Sequence, residues 1–410
     1  MNGQSCRSCG QPLSILFADL GLHPIANVFR TREQLSWPEM FYPLRAFVCS
    51  ECKLVQLEDF GSRENHFHEN YVYFSSYSRT WLEHARHYAA GMIERFSLNE
   101  QSRVVEIASN DGYLLRYFLE RRIPVLGVDP SANVADAARH QGIETRVAFF
   151  GTEIARQLSA EGISADLMPA NNVLAHVPDL NDFVAGFRII LKTTGVATFE
   201  FPHLLPLIRN VYFDTIYHEH YSYFSLLALL TLLERNGLAA FDVEQLSTHG
   251  GSLRVFVAPI EANRSINPSV SKLIAEERAA GLDTLEIYQS FGAKTRALKR
   301  SILNMLCRLK EEGRYIAAYG APAKANTLLN YTGVRTDFIE FTVDRNPVKQ
   351  GLFLPGTSIP VLDVSALEER RPHYVIVLPW NLAEEIIKEQ ANIRSWGGRF
   401  IILLPTPRIL

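Results

Sequence analysis

Val104-Val105-Glu106-Ile107-Ala108-Ser109-Asn110-Asp111-Gly112 is the stretch on which the fold turns. Its first four residues are a short β-rich run, and the small residues after them end it sharply. The apolar-periodic Leu114 to Phe118 follows, so the unit reads as strand, turn, helix. Next, Val125-Leu126-Gly127-Val128-Asp129 is a second strand ending in an acid, followed by the Ala-rich Ala132 to His140. Further strands are predicted around Asp166 to Asn171 and Gly195 to Phe199. This alternation predicts βαβ units on a mostly parallel sheet, an α/β fold.

The same turn is a candidate ligand site. A strand that ends in small residues lets backbone N–H groups and a helix N-terminus approach a ligand closely. The G-x-G-x-x-G spacing of dinucleotide binders is missing, which argues against a pyrophosphate here. Asp129 is placed to accept hydrogen bonds from ribose hydroxyls. Glu106 to Gly112 together with Asp129 therefore suit an adenosyl ligand without a pyrophosphate, and S-adenosylmethionine is such a ligand. Taken alone, the pattern fits a generic α/β turn equally well.

Upstream, residues 1–68 form a turn-rich segment that reads as irregular. It carries Cys6-Arg-Ser-Cys9 and Cys49-Ser-Glu-Cys52, with 39 residues between Cys9 and Cys49. Two such pairs can place four thiolates around Zn²⁺, a closed and therefore structural set. Small loop-rich units usually need a staple of this kind. Ordinary cytosolic thiols or a redox pair are the alternatives. Cys307 lies in a helical run and is expected to be buried filler.

Residues 69–282 hold the βαβ pattern, and residues 283–410 form a third, smaller α/β segment. The latter opens with a long helix through Ala293 to Lys310, then strands at Tyr315 to Gly320, Phe341 to Asp344, Tyr374 to Leu378 and Arg399 to Leu404.

The chain has 410 residues, enough for two or three domains, with 47% hydrophobic and 21% charged residues. Net charge is -3 with no basic tail, which argues against a nucleic-acid partner. Met1 to Cys9 is polar, so no signal peptide is expected. Apolar stretches such as Leu226 to Leu233 are too short for a membrane span, so no membrane partner is expected either. Paired cysteines of this type suit a reducing compartment, and a cytoplasmic monomer is the expectation.

Three further clusters carry chemistry. Tyr217-His218-Glu219-His220-Tyr221 joins imidazoles and a carboxylate, a set suited to proton abstraction near neutral pH. It is not H-E-x-x-H, so a metalloprotease site does not follow. Asn171-Asn172-Val173-Leu174-Ala175-His176 adds polar groups at a strand's carboxyl end, where open α/β sheets bind ligands. Thr248-His249-Gly250-Gly251-Ser252-Leu253-Arg254 suits an anion, or is simply a tight turn between strands. Tyr319-Gly320-Ala321-Pro322-Ala323-Lys324 suits phosphate or sugar, or is simply a helix start.

In this order, the motifs resemble the nucleotide-sugar C-methyltransferase family, including the TDP-sugar 3-C-methyltransferases of deoxysugar pathways. The likeness spans nearly the whole chain, from the four cysteines to Lys324 and the α/β segment around it. It implies a zinc-binding domain (1–68), a Rossmann-like methyltransferase domain (69–282) and a C-terminal α/β domain (283–410) that helps hold a nucleotide sugar. It also implies a reaction in which a base removes the proton beside a 4-keto group and the resulting carbon takes a methyl group. By similarity His220 is the base, with Tyr217, Glu219 and His176 around the same sugar. Expected cofactor residues are Glu106, Ala108, Asn110, Asp111, Gly112, Asp129, Pro130 and Asn172, with Tyr73, Ser75 and Ser76 closing over them. Asn172, His176, His249, Arg254 and Lys324 are the expected sugar or phosphate contacts. Rival readings are an oxygen- or nitrogen-methyltransferase, a zinc-ribbon nucleic-acid binder and a dehydrogenase, against which the missing Gly fingerprint argues.

Overall fold

The structure, a computed structural model, describes residues 4–58, 60 and 74–410. The segment read as irregular contains a sheet. Strands β1 (Ile15–His23), β2 (Tyr42–Val48) and β3 (Val55–Leu57) pair antiparallel. Register shifts in β1 between Leu16 and Ala18, and again between Asp19 and Leu22, break the period-2 pattern that announces a strand.

Seven strands form the central sheet: β4 (Val104–Ile107), β5 (Val125–Asp129), β6 (Thr145–Val147), β7 (Ala165–Asn171) and β8 (Leu191–Pro202), then, beyond the short β9 (Ser222–Tyr223), β10 (Leu238–Leu246) and β11 (Ser252–Pro259). Their order is β6-β5-β4-β7-β8-β11-β10; the first five run parallel, and β11 and β10 run antiparallel. All four residues of β4 are buried, as a parallel strand covered on both faces requires. Strand order reverses between β4 and β7, which opens a crevice at their carboxyl ends. Gly127 in β5 permits the close approach of the β4 turn: a Cβ there would lie 2.4 Å from Ser109 Oγ. The remaining strand, β9, leaves this sheet and pairs with β3, so the N-terminal sheet is completed from about 165 residues further along the chain.

The third sheet contains β12 (Ile316–Tyr319), β13 (Thr342–Val343), β14 (Val361–Leu362), β15 (Tyr374–Val377), β16 (Arg399–Ile402) and β17 (Arg408–Ile409). Its order is β14-β13-β12-β15-β16-β17, parallel except for β17. Before it runs the helix Glu286–Glu311, whose Phe291, Thr295, Leu298, Ile302, Leu306 and Leu309 form a buried stripe of helical period. Cys307 is exposed, contrary to expectation, because it stands about 100° around the helix from Leu306 and off that stripe. The stripe packs on the N-terminal sheet, with Phe17 and Phe291 stacked at 4.3 Å between ring centroids. One hydrophobic core thus joins the first and last parts of the chain. Among the described residues, no helix is long and apolar enough to cross a membrane.

Candidate active site

A cavity of about 460 Å³ lies outside the carboxyl ends of β4 and β7, walled by all three parts of the chain. At its cofactor end the β4 turn is left-handed at Ala108 (φ 59°) and Asn110 (φ 48°), which turns the Asn110 N–H toward Asp129. Asp129 accepts from the N–H of Asn110 and of Ser131, each at 2.9 Å. Burial pushes its carboxyl up to about 6 despite those two donors. Pro130, Val128, Phe149, Phe150 and Phe183 supply apolar wall. The side-chain oxygens of Asn171, Asn172 and Ser131 are buried along the same wall without a hydrogen-bond partner among the described residues. Buried polar groups are rarely left so, and the set matches a ligand with ribose and amino-acid groups. S-adenosylmethionine fits this end.

The expected cofactor residues divide. Ala108, Asn110, Asp129, Pro130, Asn172 and Ser75 line the cavity. Glu106 sits fully buried behind the turn, where burial pushes its carboxyl well above the ordinary value. Asp111 instead holds the incoming segment, accepting from the N–H and hydroxyl of Ser76, while Ser75 N–H donates to Asn110. At Gly112, φ is 77° and a Cβ would lie 2.4 Å from Ile143, so this position supports the turn from outside the cavity. Tyr73 lies outside the described residues.

At the other end, Tyr217, Glu219 and His220 come together with His176. His220 Nδ1 is 3.0 Å from the Thr215 carbonyl, which can only accept, so Nδ1 carries the proton. Its Nε2 is then a lone pair, 2.7 Å from the Tyr217 hydroxyl that donates to it. Burial, then the neighbouring His176, push the His220 pKa well below the usual imidazole value, so the ring is neutral at pH 7. His176 donates from Nδ1 to the Glu219 carbonyl at 2.7 Å and meets His220 edge-on at 4.7 Å. Burial raises the Glu219 carboxyl to about 7. His218, between them in sequence, points away and bonds the Pro43 carbonyl.

The C-terminal wall contributes Lys324 and Lys349, both with pKa values lowered by burial. Lys324 Nζ is 2.6 Å from Asn381 Oδ1 and 4.5 Å from the Trp380 ring centre. His249, at φ 54° in the β10–β11 turn, faces Asn172 at 3.4 Å, and burial lowers its pKa to about 4.

Arg254 does not reach the cavity. It stands directly across the sheet from Glu200, and its guanidinium is taken by Glu200 at 2.7 Å and Glu244 at 2.8 Å. Burial works against the Glu200 charge, but His84 and Arg254 hold its carboxyl below the ordinary value. Glu200→Ala would leave a buried guanidinium short of its partner and is expected to cost about 3–5 kcal/mol. Urea unfolding with an unchanged midpoint would contradict this.

Several wall residues carry no local sequence signal, among them Asn27, Trp81, Lys349 and Asn381. Asn346 could have been found, since it follows the strand that ends near Asp344, and strand carboxyl ends line such sites.

A second site lies apart from the cavity. The Sγ atoms of Cys6, Cys9, Cys49 and Cys52 all fall within 4.8 Å of one another, with Cys6–Cys52 at 3.5 Å and Cys9–Cys49 at 3.4 Å. Zn–S bonds of about 2.3 Å require sulfur–sulfur edges of about 3.8 Å in a tetrahedron, which this set can meet with small adjustments. Each pair caps a tight turn: Gly10 N–H bonds the Cys6 carbonyl and Lys53 N–H the Cys49 carbonyl. Gln56 also donates to Cys6 Sγ at 3.2 Å. Four sulfur donors leave no open position, so the fitting metal is a structural zinc.

Three family models match in sequence order: a putative zinc binding domain over residues 6–67, a methyltransferase domain over 81–243 and a C-methyltransferase C-terminal domain over 247–405. Over 405 residues the chain is 34% identical to the C-methyltransferase NovU of Streptomyces niveus, spanning 99% of this chain and 96% of that protein. Among solved structures, the magnesium protoporphyrin IX methyltransferase of Synechocystis overlaps 43% of this chain and 79% of its own, at 13% identity and TM-score 0.34. The PH0226 protein of Pyrococcus horikoshii overlaps 49% of this chain and 100% of its own, at 16% identity and TM-score 0.37. Such partial overlaps say nothing about the reaction.

Proposed function

Because this chain belongs to the C-methyltransferase family and is an S-adenosylmethionine-dependent enzyme, we propose that it methylates C3 of a TDP-linked 4-keto deoxysugar through an enolate. The observation that carries this reading is the Tyr217–His220 pair: a neutral imidazole of fixed tautomer, buried where the adenosyl crevice meets the lysine-bearing wall. Methylation of oxygen or nitrogen needs no carbon acid, whereas a carbon nucleophile must be made by removing a proton.

S-adenosylmethionine supplies, when bound, an already activated methyl electrophile. The chain's own task is to generate the nucleophile. His220 Nε2 takes the C3 proton, while the Thr215 carbonyl stabilises the imidazolium through Nδ1–H. The Tyr217 hydroxyl, released from Nε2, turns its proton toward the developing enolate oxygen, the kind of donor that is worth most in a buried site. His176 packs the reacting ring in place, and Glu219 accepts from a sugar hydroxyl. Lys324 and Lys349 face the diphosphate, with His249 and Asn172 between sugar and cofactor. Three domains of one chain enclose the cavity, which supports a monomer, and nucleotide sugars and paired thiols both suit the cytoplasm.

The reading is tested by incubating the protein with a TDP-4-keto-6-deoxy sugar in deuterated water, with and without S-adenosylmethionine. Exchange beside the keto group and methyl gain on carbon are expected. Methylation without exchange would favour an oxygen or nitrogen acceptor.

Glu219 sets a pH expectation. Burial and the neighbouring His176 hold the His220 pKa well below the usual imidazole value, so it contributes no limb near 7. The Glu219 carboxyl, held near 7, ionises through that range, and ionised it is the better acceptor. Accordingly kcat/KM should rise through about pH 7 in the wild type and lose that step in Glu219→Gln.

A further inference from the structure

One wall of the cavity comes from neither the methyltransferase sheet nor the C-terminal sheet. Asn27, in the loop between β1 and β2 of the zinc-binding domain, lines it beside Glu219. Its Nδ2 lies 2.8 Å from each Glu219 carboxylate oxygen. An amide nitrogen only donates and a carboxylate only accepts, so Asn27 both orients this carboxyl and favours its ionised form.

The loop is held from behind. Asn326, buried on the helix Ala323–Thr332, donates to the Ala26 carbonyl next to Asn27. Arg30 and Phe353 exchange backbone hydrogen bonds at 3.0 and 2.8 Å. The strand before the loop is pinned by the Phe17–Phe291 stack. Asn27 is therefore delivered to the cavity by a domain whose metal site lies elsewhere, along a path clamped at several points.

We propose that Asn27 is a positioning residue for the methyl-transfer reaction, acting through Glu219, and that the zinc-binding domain completes the catalytic cavity as well as stabilising the chain. This rests on the function proposed above. The other charged or titratable groups around Glu219 do not duplicate the contact. Lys349, from the loop after β13, also favours the ionised Glu219 by its charge, shared with Asp344, but its ammonium donates to the Ala321 carbonyl. His176 bonds the Glu219 backbone, His218 bonds Pro43, and His220 bonds Thr215 and Tyr217.

The test uses the full-length zinc-loaded protein as wild type, Asn27→Ala and Asn27→Asp, labelled with ¹³C at glutamate side-chain carboxyls. Glu219→Gln identifies the resonance by its disappearance. Asn27→Ala should keep its zinc and its affinity for S-adenosylmethionine. Its kcat should fall on the order of ten- to hundredfold, the worth of a hydrogen bond to a charged group, with KM for the nucleotide sugar changed far less. The Glu219 midpoint should move up in Asn27→Ala, and further in Asn27→Asp, where a second carboxylate faces it. A purely structural asparagine would move neither the kcat-to-KM split nor the midpoint, and an unmoved midpoint or an unchanged kcat overturns the proposal. Should Asn27→Ala lose its metal, the near-isosteric Asn27→Asp decides. If the wild type methylates no nucleotide sugar, the functional reading falls, while the midpoint comparison still decides the role of Asn27.

Discussion

His220→Asn is expected to lower turnover by about 10²–10⁴-fold, the contribution of a positioned base, and in practice to bring methylation near background. Asparagine is close in size and can still donate to the Thr215 carbonyl, but it has no lone pair basic enough to take a carbon-bound proton. The adenosyl end of the cavity is built from Asn110, Asp129, Asn171 and Asn172, none of which bonds His220, so affinity for S-adenosylmethionine should hold. Isotope exchange at the sugar should vanish together with methylation, because both need the same proton removal. Tyr217→Phe removes the hydroxyl 2.7 Å from Nε2 and should slow the reaction less. The double variant should be little worse than His220→Asn alone, as groups acting as one unit are not additive. Calorimetric titration of the cofactor beside a mass-spectrometric turnover assay checks all of this. Retained turnover in His220→Asn would remove the base from this residue.

Stripping the metal, or exchanging Cys49 for Ser, is expected to have the larger effect on the protein as a whole. Structural zinc in small domains is worth about 10–16 kcal/mol in apparent binding free energy, comparable with the total stability of about 5–15 kcal/mol of an ordinary domain. The turns at Gly10 and Lys53 close around the sulfur atoms through backbone hydrogen bonds to the Cys6 and Cys49 carbonyls. Loss of the metal should therefore release the loops before β1 and between β2 and β3. The disturbance should not stay local, because Phe17 and Leu44 share a core with Phe291 and Ile302 of the long helix. One zinc per chain by elemental analysis, and a large fall in melting temperature on removal, are the expected results. A chain that keeps its melting temperature without metal would show that the shared core, and not the zinc, holds this region.

The two sites differ in how much could be read before the fold was known. Cys6, Cys9, Cys49 and Cys52 were readable because thiol spacing is itself the chemistry, and the structure brings their sulfur atoms within 4.8 Å. The β4 turn was readable because a short β-rich run, Val104 to Ile107, breaks into small residues where the ligand crevice begins. Tyr217, Glu219 and His220 were readable as a cluster, being neighbours in the chain. Arg254 was misplaced because a strand residue's side of the sheet follows from register, and register pairs it with Glu200. The N-terminal sheet was missed because bulges hide β1 and because its fourth strand is β9.

By itself, the sequence determined whatever depends on local period or on chemical identity: the βαβ alternation, the two Cys pairs, the small-residue turn after Ile107 and the His/Tyr/Glu segment. Tertiary structure alone decided which of those groups face one another. It turned His218 out and His220 in, assigned His220 its tautomer through Thr215, and brought Asn27 and Lys349 to Glu219 from positions 192 residues before it and 130 after it. The physical reason is that a hydrogen bond or a buried charge is decided by distance in space, and chain separation carries no information about that distance until the core has closed.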